Sequence, residues 1–193
     1  MPICWNWKPL KGLVVIRFLS VLFTLFCLGF PASAQQTNQE IVSPTEQVWA
    51  SYANPRFGVS ASLPSVGFVP QPLSENGDGI SLLSVSGQST ITVFGSYWAA
   101  TSNSFSDYRA QQGHNLENLG ANITYAPGGN SWFVFSGYLG DDIFYFKSTT
   151  RSNCPVAGHI YFKFPAIYKD QMSYIIERME DSLHLGPSEA CPG

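Results

Sequence analysis

Two runs of alternating apolar residues, SWFVFSGYL (131–139) and DIFYFKSTT (142–150), are separated only by Gly140 and Asp141. A period of two puts successive side chains on opposite faces of an extended chain, and a two-residue joint leaves room only for a tight reversal. This pair therefore predicts an antiparallel hairpin. In DIFYFK both faces are apolar or aromatic, so such a sheet needs a cover on each side. The same signature recurs along the chain. Phe57, Val59, Ala61 and Leu63 alternate against Gly58, Ser60 and Ser62. ISLLSV (80–85) and STITVFGSYW (89–98) flank Gly87-Gln88 as a second hairpin. ANITYA (121–126) precedes the turn Pro127-Gly128-Gly129-Asn130. HIYFKF (159–164) sets Ile160, Phe162 and Phe164 on one face and Tyr161 and Lys163 on the other. Residues 64–79, with three prolines and NGDG at the end, read as a loop.

Two segments break the alternation. Between Phe105 and Gln112 the residues are good helix formers, with Ser102 or Ser104 as a possible N-cap and Gly113 as the stop. Near the end, Met172, Ile175, Ile176, Met179 and Leu183 recur at helical spacing, opposite Glu177, Arg178, Glu180 and Asp181. Asp170 is placed to cap this second helix, and Gly186-Pro187 to end it. The expected fold is α+β: an antiparallel sheet of about six to seven strands, one short middle helix and a C-terminal amphipathic helix whose stripe packs on the sheet.

The first 34 residues stand apart. Lys8, Lys11 and Arg17 precede an uncharged run from Phe18 to Phe30, followed by Pro31 and the small residues Ala32-Ser33-Ala34. That is the three-part layout of a secretory signal peptide, with cleavage expected between Ala34 and Gln35. The implied organisation is a signal peptide (1–34), a flexible lead-in (35–45), one domain (46–186) and a tail (187–193). The whole chain carries 10 basic and 13 acidic residues, a net charge of −3, and export removes three of the basic ones. The remainder is acidic and has no Lys/Arg cluster. Neither a nucleic acid nor, after cleavage, a membrane surface is an expected partner.

Of the 4 cysteines, Cys4 and Cys27 leave with the leader. Cys154 and Cys191 remain, and an oxidising compartment allows them one pairing, a disulfide. Zinc ligation needs more ligands than these two and His159.

No sequence pattern marks a catalytic or cofactor site. NGDG (Asn76, Gly77, Asp78, Gly79) invites comparison with a calcium loop, but the matching twelfth position is Val85, where a bidentate Glu is required. The motif reads as a structural turn, with Gly77 and Gly79 free to take positive φ and the Asn and Asp side chains bonding the local backbone. GVSAS (58–62) and GNSWF (129–133) lack the second glycine of a nucleophile elbow. His114 and His184 read as solvated helix ends, and Asp141-Asp142 as a solvated turn. Tyr97, Tyr138, Tyr161 and Tyr174 are candidates for an exposed groove.

The series NPRFGVSASLP, NGDG before two short strands, TYAPGGNSWFVFSGYLGDDIFYFK and HIYFKFP before a closing helix resembles a group of small secreted bacterial proteins. Their pattern is RFGF, Tyr-Pro, then NGDG; here Leu63 stands before Pro64 in place of the Tyr. The layout over about residues 46 to 185 also resembles the fold of PsbP, the extrinsic photosystem II subunit, a sheet sandwiched by helices. The resemblance implies a fold and a compartment and no catalytic residue. The resulting expectation is an exported, non-catalytic binding or accessory module of the bacterial cell envelope, using no cofactor or metal, with an unidentified protein or small ligand as partner. The alternative is a small cell-envelope hydrolase with an unrecognised active site.

Overall fold

The computed structural model describes residues 45–191. The signal segment, most of the lead-in and the Ala34–Gln35 junction lie outside the described residues. Seven strands form an antiparallel sheet: β3 (Phe68–Pro70), β4 (Gly79–Ser84), β5 (Thr90–Tyr97), β6 (Ala121–Tyr125), β7 (Trp132–Leu139), β8 (Asp142–Thr149) and β9 (Val156–Pro165). Their spatial order is β3-β4-β5-β9-β8-β7-β6. A smaller sheet joins β1 (Trp49–Ala53), β2 (Val59–Pro64) and β10 (His184–Leu185) in the order β1-β2-β10. Helix α1 (Phe105–Asn118) follows β5, and α2 (Lys169–Ser182) follows β9. The expected α+β sandwich, with antiparallel pairing throughout the large sheet, is the fold of the chain.

The strand alternation determines which helix covers which face. Ile160, Phe162 and Phe164 of β9 pack with Ile91 and Val93 of β5, the β2 side chains, and Met172, Ile175 and Met179 of α2. On the opposite face Phe133, Phe135, Phe144 and Phe146 pack with Phe105 and Tyr108 of α1. Each fully buried side chain of this kind contributes roughly 1.5–3 kcal/mol by leaving water.

Several local expectations are corrected. α1 runs through Gly113 to Asn118. Gly113 stays helical above Phe135, where an added Cβ would stand in ordinary contact, 3.4 Å from the ring. The stop is Gly120, at φ +90° just past the helix end. Ser104, not Ser102, is the N-cap, accepting from the Asp107 N–H at 3.1 Å. The loop read over 64–79 contains β3, whose one proline, Pro70, suits an edge strand. Asp170 lies within the first turn of α2, and Tyr168 is its N-cap. Leu183 is already extended at the C-cap, so the helix ends before Gly186, and His184 belongs to β10 rather than to a helix end. Ser182 closes that end: its Oγ donates to the Met179 carbonyl and accepts from the Ser62 N–H.

Cys154, before β9, and Cys191, in the tail, have Cα atoms 5.5 Å apart and sulfurs at bonding distance. A bond here closes a loop spanning 37 positions. In the chain-entropy view that removes roughly 4 kcal/mol of denatured-state freedom. Arg151 adds a clasp, donating from Nη2 to the Cys191 carbonyl at 2.6 Å.

Within the stripe of α2, Met172, Ile175 and Met179 are fully buried, whereas Ile176 stands half-buried at its edge. Ile175→Ala should therefore cost about 2–5 kcal/mol, the range for a buried aliphatic, and Ile176→Ala distinctly less. Urea unfolding of the two variants checks this. Equal losses would contradict the packing described.

Candidate functional site

The two halves of α1 differ in composition. Its first turns carry Phe105 and Tyr108, which are buried, but from Gln111 the sequence is QQGHNLEN, with Leu116 as its one large apolar residue. A polar half-helix cannot seal an aromatic sheet face. A groove of about 270 Å³ lies there, between Gln112, Asn115, Leu116 and Leu119 on the helical side and Thr92, Phe94, Phe146 and Tyr161 on the strands. Leu119, at the rim, is 73% exposed. Its walls are mainly carbon, with Thr92, Gln112 and Asn115 supplying polar groups.

The two phenyl rings of this groove also clasp a histidine. His159 stacks on Phe94 at 4.5 Å and on Phe146 at 5.5 Å between ring centroids. It is fully buried. Its Nε2 meets Ser96 Oγ at 2.8 Å and Tyr108 Oη at 3.4 Å. Its Nδ1 has no hydrogen-bond partner, and neither has the buried hydroxyl of Ser148, which sits directly opposite on β8. Burial pushes the imidazole pKa down to about 3 and so keeps the ring neutral. Burial also raises the Tyr108 pKa.

A serine and a histidine at 2.8 Å are the geometry of a nucleophile and its base. The surroundings do not suit that chemistry. The ring is sealed between phenyls, no carboxylate holds its second nitrogen, and it resists the positive charge a general base must accept. The sequence marked only that His159 begins a strand whose Tyr161 and Lys163 share a face, and that placement on the α1 side is what puts it in the cage.

The other singled-out residues are dispersed. NGDG is a turn anchored from outside. Gly77 has φ +67°, and Arg56 donates to the Asn76 carbonyl and to Asp78 Oδ1. Asn54 Nδ2 donates to the Gly77 carbonyl at 2.8 Å. Gly79 differs from the expectation of positive φ. It opens β4 with its backbone against β5, where a Cβ would lie 2.2 Å from the Val93 carbonyl oxygen. His114 is exposed mid-helix beside Glu117 at 3.4 Å, not at a helix end. Asp141 is in the tight turn, but Asp142 opens β8 and pairs with Lys163 at 3.3 Å. The four tyrosines do not form one groove: Tyr161 faces α1, Tyr97 meets Phe57 on the other side, Tyr138 stands exposed on β7, and Tyr174 stands on α2. Among the described residues, no three His, Cys, Asp or Glu side chains gather as a metal site.

With this geometry in hand, the likenesses to known proteins are narrow. No protein-family model matches the chain, and no curated protein sequence does. Among solved structures, the cyanobacterial PsbP (CyanoP) of Synechocystis sp. PCC 6803 is similar with a TM-score of 0.53 and 12% identity over 72% of this chain and 92% of that one. The Saccharomyces cerevisiae Ran-binding protein Mog1p is similar with a TM-score of 0.50 and 8% identity over 72% of this chain and 96% of that one. The PsbP-like fold is thus shared. At such identities the fold alone is what the likeness carries.

The histidine cage has a consequence for acid stability. In the unfolded chain the imidazole titrates near its ordinary 6.5, whereas in the fold its pKa is about 3. Its contribution is therefore present above pH 6.5 and is lost as pH falls toward 3, at about 1.4 kcal/mol per pH unit. His159→Phe keeps the stack and removes the proton site. Between pH 6 and pH 4 the wild type should lose about 2–3 kcal/mol more than this variant, measured by urea unfolding at each pH. Parallel pH profiles would show that the ring is not held neutral.

Proposed function

We propose that the chain is an exported, non-catalytic binding or accessory module of the bacterial cell envelope, cleaved after Ala34. Its contact point is the groove under the second half of α1. The observation that carries this reading is the contrast between two neighbours. The apolar groove lined by Phe94, Leu116 and Phe146 is open, while the Ser96–His159 pair behind it is closed and its imidazole is kept neutral. A groove of this kind accepts an apolar side chain or ring from a partner protein. The fold neighbours support a binding role, Mog1p being a Ran-binding protein by name. The leader pattern and the paired cysteines support export. The small-hydrolase reading has the Ser96–His159 contact in its favour, and the sealing of that contact against it.

Leu119 is exposed enough to change without unfolding the domain. Leu119→Glu should leave the melting temperature within a degree or two, yet abolish capture of the partner that immobilised wild-type protein takes from an envelope extract. Identical capture by both proteins would remove the groove from the function. The exported protein should begin at Gln35 by intact mass, and retention of Phe18–Phe30 in the membrane fraction would overturn cleaved export.

A further inference from the structure

On the opposite face the cover also runs out. α2 lies beside β9 and β2, and the strands beyond it, β8, β7 and β6, turn aromatic side chains outward. By alternation Trp132, Ser136 and Tyr138 of β7 share the α2 side, since Phe133 and Phe135 pack under α1. A β-bulge in β6 between Ile123 and Tyr125 then does something specific. Ile123 packs on the α1 side, but the register shift sets Tyr125 opposite Ser136 and so onto the α2 side. Bulges re-aim side chains in this way. Tyr125, Tyr138 and Trp132 are 58%, 46% and 39% exposed, a strip of amphipathic rings in water.

Two recesses lie where this strip meets α2, and they share Glu180. One, about 270 Å³, holds Tyr145, Ile176, Glu177, Ser173 and Lys169. The other, about 280 Å³, holds Trp132, Lys147, Thr149 and Leu183. Glu180 is locked between them. Its Oε1 accepts from Lys147 Nζ at 2.9 Å and its Oε2 from the Tyr145 hydroxyl. That hydroxyl stays protonated, its pKa raised by burial first and by Glu180 second. The charged side chains of the two recesses are Lys147 and Lys169 against Glu177 and Glu180, so they balance.

We infer that this cleft binds a neutral oligosaccharide, one sugar ring stacked on Trp132 and its hydroxyls bonded by Glu180, Lys147 and Tyr145. The inference goes beyond the proposed role of the α1 groove and uses the other face of the sheet. Three features select the ligand. Exposed rings with a polar tip match the apolar face of a pyranose and its hydroxyl edge. Fixed donors and acceptors within hydrogen-bond reach of one another suit vicinal hydroxyls, each of which both donates and accepts. Charge balance gives no advantage to an anion or a cation, which sets aside acidic glycans, phosphorylated groups and charged peptides. Each recess has the scale of one sugar ring, and the two meet at Glu180.

The test is an NMR titration of the ¹⁵N-labelled mature protein with four neutral disaccharides: cellobiose, maltose, mannobiose and chitobiose. Digalacturonate and a tri-alanine peptide serve as competitors. At least one neutral disaccharide should shift the Trp132 indole signal and the amides of Lys147 and Glu180. Trp132→Ala should weaken that binding about tenfold, the loss of one ring stack. Glu180→Gln removes one negative charge from the balanced set and should move the preference toward digalacturonate. Leu119→Glu, on the other face, should bind the sugar as wild type does, so a failed α1 groove leaves this result standing. The inference is overturned if no neutral disaccharide shifts these signals. It is equally overturned if digalacturonate or the peptide binds the wild type more tightly, if Trp132→Ala binds unchanged, or if Leu119→Glu abolishes binding.

Discussion

The large sheet carries apolar and aromatic side chains on both faces. β8 alone places Phe144 and Phe146 on one side and Ile143 and Tyr145 on the other, and β9 repeats the arrangement. An antiparallel sheet with one polar face needs a single cover; this one needs two. Seven strands at about 4.8 Å spacing span nearly 30 Å, whereas a helix with its side chains is about 10 Å wide. No single helix can close either face. The chain meets this on the α2 side by adding the small β1-β2-β10 sheet, whose Val59, Ala61 and Leu63, with Phe57 just before it, share the core with α2. The Cys154–Cys191 contact and Arg151 then hold the tail down beside that sheet. On the α1 side α1 is the one α-helix among the described residues, and half of it is polar.

What was legible in the sequence follows from how local each determinant is. The hairpin β7–β8 depends on residues within about ten positions of one another, and its alternation and its Gly140-Asp141 joint specify it without help. The stripe of α2 is equally local, so Met172, Ile175 and Met179 were identifiable as core. The α1 stop was not, because a glycine inside a helix reads as an end. Gly113 stays helical, and the chain leaves the helix at Gly120, whose positive φ only the structure displays. β3 and β10 are too short to carry a period. They exist because β4 and β2 offer free edges to pair with.

The candidate sites were less legible for the same reason. His159 has no special neighbours in sequence. Its cage is assembled from β5, β8 and α1, and its neutrality follows from Phe94 and Phe146 closing over it. Trp132, Tyr125 and Tyr138 could be counted as aromatics but not assigned to a surface. Tyr125 in particular would lie on the α1 side by plain alternation, and only the bulge moves it across.

The groove under α1 and the cleft beside α2 then share one physical origin: each lies where a cover ends before the aromatic face beneath it does. The two ends differ in kind. Under α1 the helix keeps only Leu116 as a large apolar side chain after Tyr108 and leaves phenyl rings behind a rim of Gln112, Asn115 and Leu119. Beside α2 the helix keeps its apolar stripe turned to β9 and β2 and presents Glu180 sideways, against the hydroxyl of Tyr145 and the ammonium of Lys147. The first surface gains mainly by burying carbon. The second already holds its polar groups in place, and such pre-ordering lowers the entropy lost when a hydroxylated ligand arrives. A sheet too wide for its helices thus acquires, from the same shortage of cover, one apolar site and one polar-aromatic site on opposite faces.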